Sequence, residues 1–240
     1  MNETSKYIER ECRYGRMRWL AHDTHVGKSL LAYGEYSESE VALFRKIVRG
    51  HSTVISAGAN IGCHIIPLAR MCRHVYTAEP NPLVADLCVY NCSLNKVENV
   101  TMAVGAFGAA KGTATIMSTR IDEDTNYGGV ELVRGGNLEV PVMPIDEFGL
   151  DDVCLIHLDV EGSELAALQG ALETIERCRP ILYVETNRPQ DNDALLAWIN
   201  ANGYQTMTHY APAFNPNNFN GKTHNLFPNV ASIMALCIPW

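Results

Sequence analysis

Apolar positions along this chain switch between a helical and a strand period, and the switching becomes regular near residue 38. Ser39-Glu40 opens an amphipathic stretch with apolar residues at Val41, Phe44, Ile47 and Val48 that stops at Gly50, the spacing of a helix. Residues 53–56 then form a short β-rich run, Gly58 breaks it, and residues 61–72 return to a helical period. The unit recurs as a strand over 74–78, a helix over 83–92 and a strand over 100–104. Residues 153–158 are almost wholly apolar, as in a central strand covered on both faces. A helix from Ser163 toward Glu176, a strand over 181–184, a helix over 191–202 ending at Gly203, a sixth strand over 204–208 and a last apolar strand over 230–238 complete the series. Such alternation predicts an α/β fold of the Rossmann type, a seven-stranded, mostly parallel sheet with helices on both faces.

Two stretches interrupt the rhythm. Between Gly105 and Pro144 the runs 112–116 and 130–133 suggest a β-ribbon insertion, near 106–143, whose halves are separated by Asn126-Tyr127-Gly128-Gly129. Residues 212–228 are rich in Asn, Pro and Phe, too irregular for helix or strand and too aromatic for a linker, and are expected to form an ordered flap. Residues 1–37 precede the regular pattern and are expected to form an N-terminal cap segment. Residues 38–240 then make a single domain, with no linker dividing them.

Composition narrows the function. The 240 residues carry a formal net charge of −8, which gives no basic face for a polyphosphate backbone, so nucleic acid is not the expected partner. Eight scattered cysteines form no C-x-x-C pair and read as reduced core thiols. The polar N-terminus lacks the apolar core of a signal peptide, and no apolar run reaches membrane-spanning length. A soluble, cytoplasmic protein with no membrane partner is expected, and a homodimer stays open.

Ligands of open parallel sheets sit beyond the carboxyl ends of the strands, so the polar residues closing each strand carry the chemistry. The first such turn runs Ser56-Ala57-Gly58-Ala59-Asn60-Ile61-Gly62, with glycines that let the backbone bend and approach a ligand. Glu79, 17 residues beyond Gly62 at the end of the next strand, is placed to accept hydrogen bonds from two ribose hydroxyls. Together they indicate an adenosine-containing cofactor. The turn has G-x-x-x-G rather than the G-x-G-x-x-G that a pyrophosphate prefers.

The chain resembles FkbM-type methyltransferases. The resemblance is carried by Tyr33-Gly34-Glu35 with Ser37-Glu38, Gly58-Ala59-Asn60-Ile61-Gly62, Glu79-Pro80, Leu158-Asp159-Val160-Glu161-Gly162 with Glu164, and Phe214-Asn215-Pro216-Asn217-Asn218-Phe219, over roughly residues 26–239. It implies a class I methyltransferase fold with an antiparallel last strand, and methyl transfer from S-adenosylmethionine to a hydroxyl of a small molecule such as a sugar, polyketide or other secondary metabolite. By the same resemblance Gly58, Asn60 and Gly62 would hold the methionine part, Glu79 the ribose, and Val104-Gly105 the adenine edge. Asp159 and Glu161 would face the reacting centre, and Tyr33 and Glu35 would close over the cofactor. Ser56 stands where the family usually has an acid, which would otherwise favour the cofactor's ammonium group.

Methyl transfer needs an aligned acceptor oxygen and removal of its proton. Asp159, Glu161, Glu185 and His209 are the base candidates, Asp159 first. Asn126, Tyr127, Asn187, His209 and Asn218 are candidate substrate contacts, while His157, inside a buried strand, reads as a satisfied core histidine. Magnesium held by Asp159, Glu161 and Glu185 is an alternative that the spacing does not require. Two other functions stay open: an NAD(P)-dependent oxidoreductase, and a catalytically weak S-adenosylmethionine-binding protein suggested by Ser56.

Overall fold

A computed structural model describes residues 6–240; residues 1–5 of the expected cap segment 1–37 lie outside the described residues. The chain begins with a hairpin, β1 (Tyr7–Cys12) and β2 (Gly15–Leu20), followed by α1 (Val26–Tyr33) and α2 (Glu38–Ile47). A seven-stranded sheet is then built from β3 (Thr53–Ala57), β4 (His74–Glu79), β5 (Val100–Val104), β9 (Val153–Leu158), β10 (Ile181–Glu185), β11 (Tyr204–Pro212) and β12 (Ala231–Pro239). Its order is β11-β12-β10-β9-β3-β4-β5. Neighbours from β10 through β5 pair in parallel, whereas β12 runs antiparallel between β10 and β11.

The central strands explain why this order is stable. Every residue of β3 is buried, as is all of β9 except Cys154, so these strands are covered on both faces. Ile55, Ala57, Ile156, Leu158 and Val184 face one hydrophobic cluster with α5 (Glu164–Gln169), α6 (Leu172–Cys178) and α7 (Pro189–Ala201). Val54, Leu155 and Tyr183 face the other, with Phe44 of α2, α3 (Ile65–Ala69) and α4 (Pro82–Leu94). Ser56 pairs in register with His157, and His157 with Tyr183, which sets those three polar side chains side by side on the α2 face.

Several expectations are corrected. The helix expected over 61–72 is confined to Ile65–Ala69, because Gly62 takes φ +96° and a helix cannot start before it. The helix expected from Ser163 toward Glu176 is two helices. The chain breaks at Gly170, whose missing side chain makes room for the Gly108 carbonyl 2.0 Å from where a Cβ would stand. Residues 130–133 are not a strand: Val133 makes one bridge to Thr115. The partner of β7 (Gly112–Ile116) is instead β8 (Leu138–Met143), which also pairs with β6 (Ala106–Phe107) despite Pro141 in its middle.

The amino-terminal hairpin is fastened to α4 rather than to the strand ends. Asn91 accepts from the Arg18 N–H and donates to the carbonyls of Arg18 and Ile61, and Asn95 makes the same exchange with the backbone of Arg16. The α4 helix itself starts in a conventional way, with Asn81 accepting from the Leu83 N–H and Pro82 in the first turn. All eight cysteines are free. Among the described residues no helix is long and apolar enough to cross a membrane.

Candidate active site

The turn after β3 forms where its sequence leaves no alternative. Gly58 sits at φ +82°, and a Cβ there would lie 1.9 Å from the Asp159 carbonyl oxygen. Only glycine lets the ends of β3 and β9 approach so closely. Asn60 follows in the left-handed region at φ +47°, and its N–H donates to Glu79 Oε2 (2.9 Å). Glu79 Oε1 accepts from the Asn81 N–H (3.0 Å), so this one carboxylate ties the glycine turn to the start of α4. Burial pushes its pKa up to about 7, against the two N–H groups that favour the charged form.

Beyond these strand ends lies a cavity of about 310 Å³. Gly58, Asn60, Asp159, Glu161, Glu185 and Arg188 bring the polar character to its wall. A narrow slot of about 20 Å³ continues past Gly58 and Asp159, lined also by Glu79, Pro80, Gly105, Val130 and Leu132. Gly128 belongs to both spaces, and a Cβ on it would stand 1.8 Å from the Asn60 amide nitrogen.

The three cavity acids have different surroundings. Asp159 and Glu185 are both held above the usual carboxylate range, by burial first and then by neighbouring carboxylates, Glu40 and Glu161 for Asp159 and Asp159 for Glu185. A pair so placed retains a proton at neutral pH. Glu161, at φ +53°, accepts from Arg188 (2.8 Å), and the same guanidinium reaches Glu131 of the insertion (2.6 Å). Asn187 lies on the wall, but its amide donates to Glu185 (2.6 Å) and accepts from the Ile233 N–H (2.7 Å), so it positions Glu185.

Other expected site residues lie elsewhere. Ser56 is fully buried beneath the turn, its Oγ 2.8 Å from His157 Nδ1. Tyr33 accepts from the Leu226 N–H and Glu35 accepts from Arg13, Asn215 and the Phe219 N–H, so both hold the tail and neither lines the cavity. Val104 points outward at 45% exposure, and only Gly105 reaches the slot. Tyr127 is a correction: its ring is in the core and its hydroxyl is shared by the carbonyls of Arg120 and Glu123, leaving Asn126 and Gly128 at the cavity. His209 binds the Tyr183 hydroxyl (2.7 Å), and Asn218 closes a turn with Asn215 and Lys222, both away from the cavity. Sequence reasoning missed His25, Tyr36, His64 and Arg188 on the wall. His64, two residues past Gly62, was within reach of the turn argument; the others lie in segments without periodicity.

A glycine turn and paired acids at the carboxyl ends of a sheet ordered β11-β12-β10-β9-β3-β4-β5 define the class: a methyltransferase-like α/β fold. The chain matches the family described as "Methyltransferase FkbM domain" over residues 56–206, and it belongs to that family. Among curated proteins nothing matches it. Of solved structures, it is similar to methyltransferase FkbM from Methylobacillus flagellatus KT, at 17% identity and TM-score 0.52, covering 82% of this chain and 50% of that one. The chain thus spans half the length of that protein. Trm5b from Pyrococcus abyssi shares 14% identity at TM-score 0.54, covering 100% and 57%. TYW2 from M. jannaschii, solved in complex with AdoMet, shares 14% at TM-score 0.51, covering 100% and 90%. At these identities the likeness is one of fold.

Proposed function

We propose that the chain is an S-adenosylmethionine-dependent methyltransferase acting on a hydroxyl of a small molecule. The observation that carries this reading is the cavity at Gly58, walled by Asp159, Glu161 and Glu185 with one guanidinium among them. The residues fit the cofactor on two grounds. A Cβ at Gly58 or Gly128 would fill the cradle or strike its wall, and the acids suit a ligand with a positive sulfonium. Gly58 and Asn60 would hold the amino-acid part, Glu79 the ribose and Gly105 the edge of the purine. When bound, the cofactor supplies an electrophilic methyl group.

What the chain's own residues contribute is position and a proton site. Burial holds Asp159 and Glu185 above the usual carboxylate range, and their oxygens are the ones that can take a hydroxyl proton from an acceptor in the cavity. Arg188 holds Glu161 in place and, through Glu131, ties the insertion to the strand ends. The same guanidinium opposes a magnesium ion among these three acids, so none is proposed. The net charge of −8 and the acidic wall argue against a polyanionic substrate, although relatives of similar fold include an enzyme named as a tRNA methyltransferase.

Titration calorimetry with S-adenosylmethionine, its demethylated product and NADH tests the reading. The first two are expected to bind one per chain, and binding of NADH alone would overturn it. A panel of hydroxylated metabolites and a short RNA then separates the acceptor classes, with methylation of the RNA alone overturning the small-molecule part.

A further inference from the structure

Behind the cavity wall, three side chains from three elements converge with one polar atom each left over. Glu40 of α2, His64 just before α3 and His157 of β9 are 2%, 7% and 0% exposed. Glu40 Oε2, His64 Nε2 and His157 Nε2 are buried without a hydrogen-bond partner. His157 Nε2 stands 4.0 Å from Glu40 Oε2, too far for a hydrogen bond, and one donor atom from each residue lies within 4.8 Å of the others. Leaving such atoms unpaired costs about 1–3 kcal/mol each, so their convergence calls for an occupant.

We propose that Glu40, His64 and His157 bind one divalent first-row transition-metal ion, with zinc the ion that two imidazoles and a carboxylate suit best. The arrangement has the outer supports of a metal site. Ser56 Oγ sits 2.8 Å from His157 Nδ1; with that nitrogen protonated and donating, Nε2 presents its lone pair to the cluster. Ser37 donates to the other carboxylate oxygen of Glu40. Phe44 packs edge-on against both imidazoles and keeps the surroundings apolar. Tetrahedral zinc with bonds of about 2.0–2.2 Å needs each donor to move inward by less than about 1 Å, within reach of side-chain rotation. An acid at position 56 would add a second buried charge beside His157, whereas the serine hydroxyl orients it. His64 and Ser37 also line the cavity, so the ion would brace the wall from behind.

The test uses the full chain, stripped with a chelator and titrated with zinc and then with cobalt. One equivalent of zinc is expected, together with a rise in the thermal midpoint. Glu40→Gln and His157→Gln should lower zinc affinity at least about 100-fold, and Ser56→Ala, which removes no ligand, about 10–100-fold. The cobalt spectrum separates this site from the cysteines: nitrogen and oxygen ligation supports it, and a thiolate charge-transfer band overturns it. The proposal also fails if the wild type takes up no zinc, or if Ser56→Ala and His157→Gln bind it as the wild type does. Should the ligand variants not fold, the Ser56→Ala affinity and the wild-type cobalt spectrum still decide.

Discussion

The glycine turn at 58–62 and the clasp that joins residues 33–35 to the tail are both built from the residues that carry the family resemblance, yet they do opposite things with their polar atoms. At the turn, Gly58, Asn60 and Asp159 border open space, and Glu79 holds the backbone with lone pairs to spare. In the clasp, Glu35 is 5% exposed and takes three donors, from Arg13 (2.6 Å), Asn215 (2.7 Å) and the Phe219 N–H (2.7 Å). Tyr33 stacks near Phe214 and Phe227 and fixes Leu226. A motif residue becomes a ligand contact only where folding leaves it an unfilled hydrogen bond beside a cavity. The clasp instead holds the covering segments in place.

That contrast can be broken most sharply at Gly58. Gly58→Ala would push a methyl group into the Asp159 carbonyl in a backbone conformation that alanine disfavours. A loss of about 4 kcal/mol in stability and at least about 100-fold in S-adenosylmethionine affinity is expected, read by denaturant melts and calorimetry. Unchanged affinity in a folded variant would separate the turn from the cofactor. On the other side, Glu35→Ala leaves three donors without their acceptor and should cost about 3 kcal/mol of stability. Its affinity for S-adenosylmethionine, measured well below the melting temperature, should stay within about threefold. A tenfold loss would return Glu35 to the cofactor.

Glu79 lies between the two behaviours, because it holds backbone and also borders the slot. Glu79→Gln should weaken cofactor binding about tenfold, since a neutral amide replaces charge-assisted hydrogen bonds. Its pH signature is separate. The carboxyl is raised to about 7 in the folded chain from 4.5, so its contribution to stability is complete below pH 4.5 and is lost as pH rises through 7. Relative to Glu79→Gln, the wild type should lose about 2–3 kcal/mol over that interval, measured by melts at matched pH. A constant difference would mean that Glu79 stays charged when buried.

The sheet was legible because its central strands are covered on both faces and so read as apolar runs, as at 153–158. The hairpin Tyr7–Leu20 was not, because it packs through side-chain amides of Asn91 and Asn95 that lie far away in sequence. β8 was hidden by Pro141, which this central strand tolerates because β6 pairs only with Val142 and Met143 and leaves Pro141 free on that side. In the site, Asp159 and Glu185 were reachable as strand ends. Arg188 gains its meaning only from Glu131 and Glu161, which no period connects to it. His157 reads as satisfied and is half so, since strand register gives Nδ1 a partner and leaves Nε2 to Glu40 of α2 and His64 just before α3.

Tyr127 gives the smallest and cleanest separation of holding from binding. It sits between Asn126 and Gly128, which line the cavity, while its own ring is 1% exposed in the core. Its hydroxyl is shared between the carbonyls of Arg120 (2.9 Å) and Glu123 (2.7 Å), so it fixes the loop 120–127 from within. Tyr127→Phe keeps the ring and removes the hydroxyl, which should cost about 1 kcal/mol of stability. Because no atom of the hydroxyl faces the cavity wall, the KM for any acceptor should be unchanged while the melting temperature falls by a few degrees. A selective rise in acceptor KM with an unshifted melting temperature would show that the ring leaves the core during turnover, and would move Tyr127 to the binding side of the comparison.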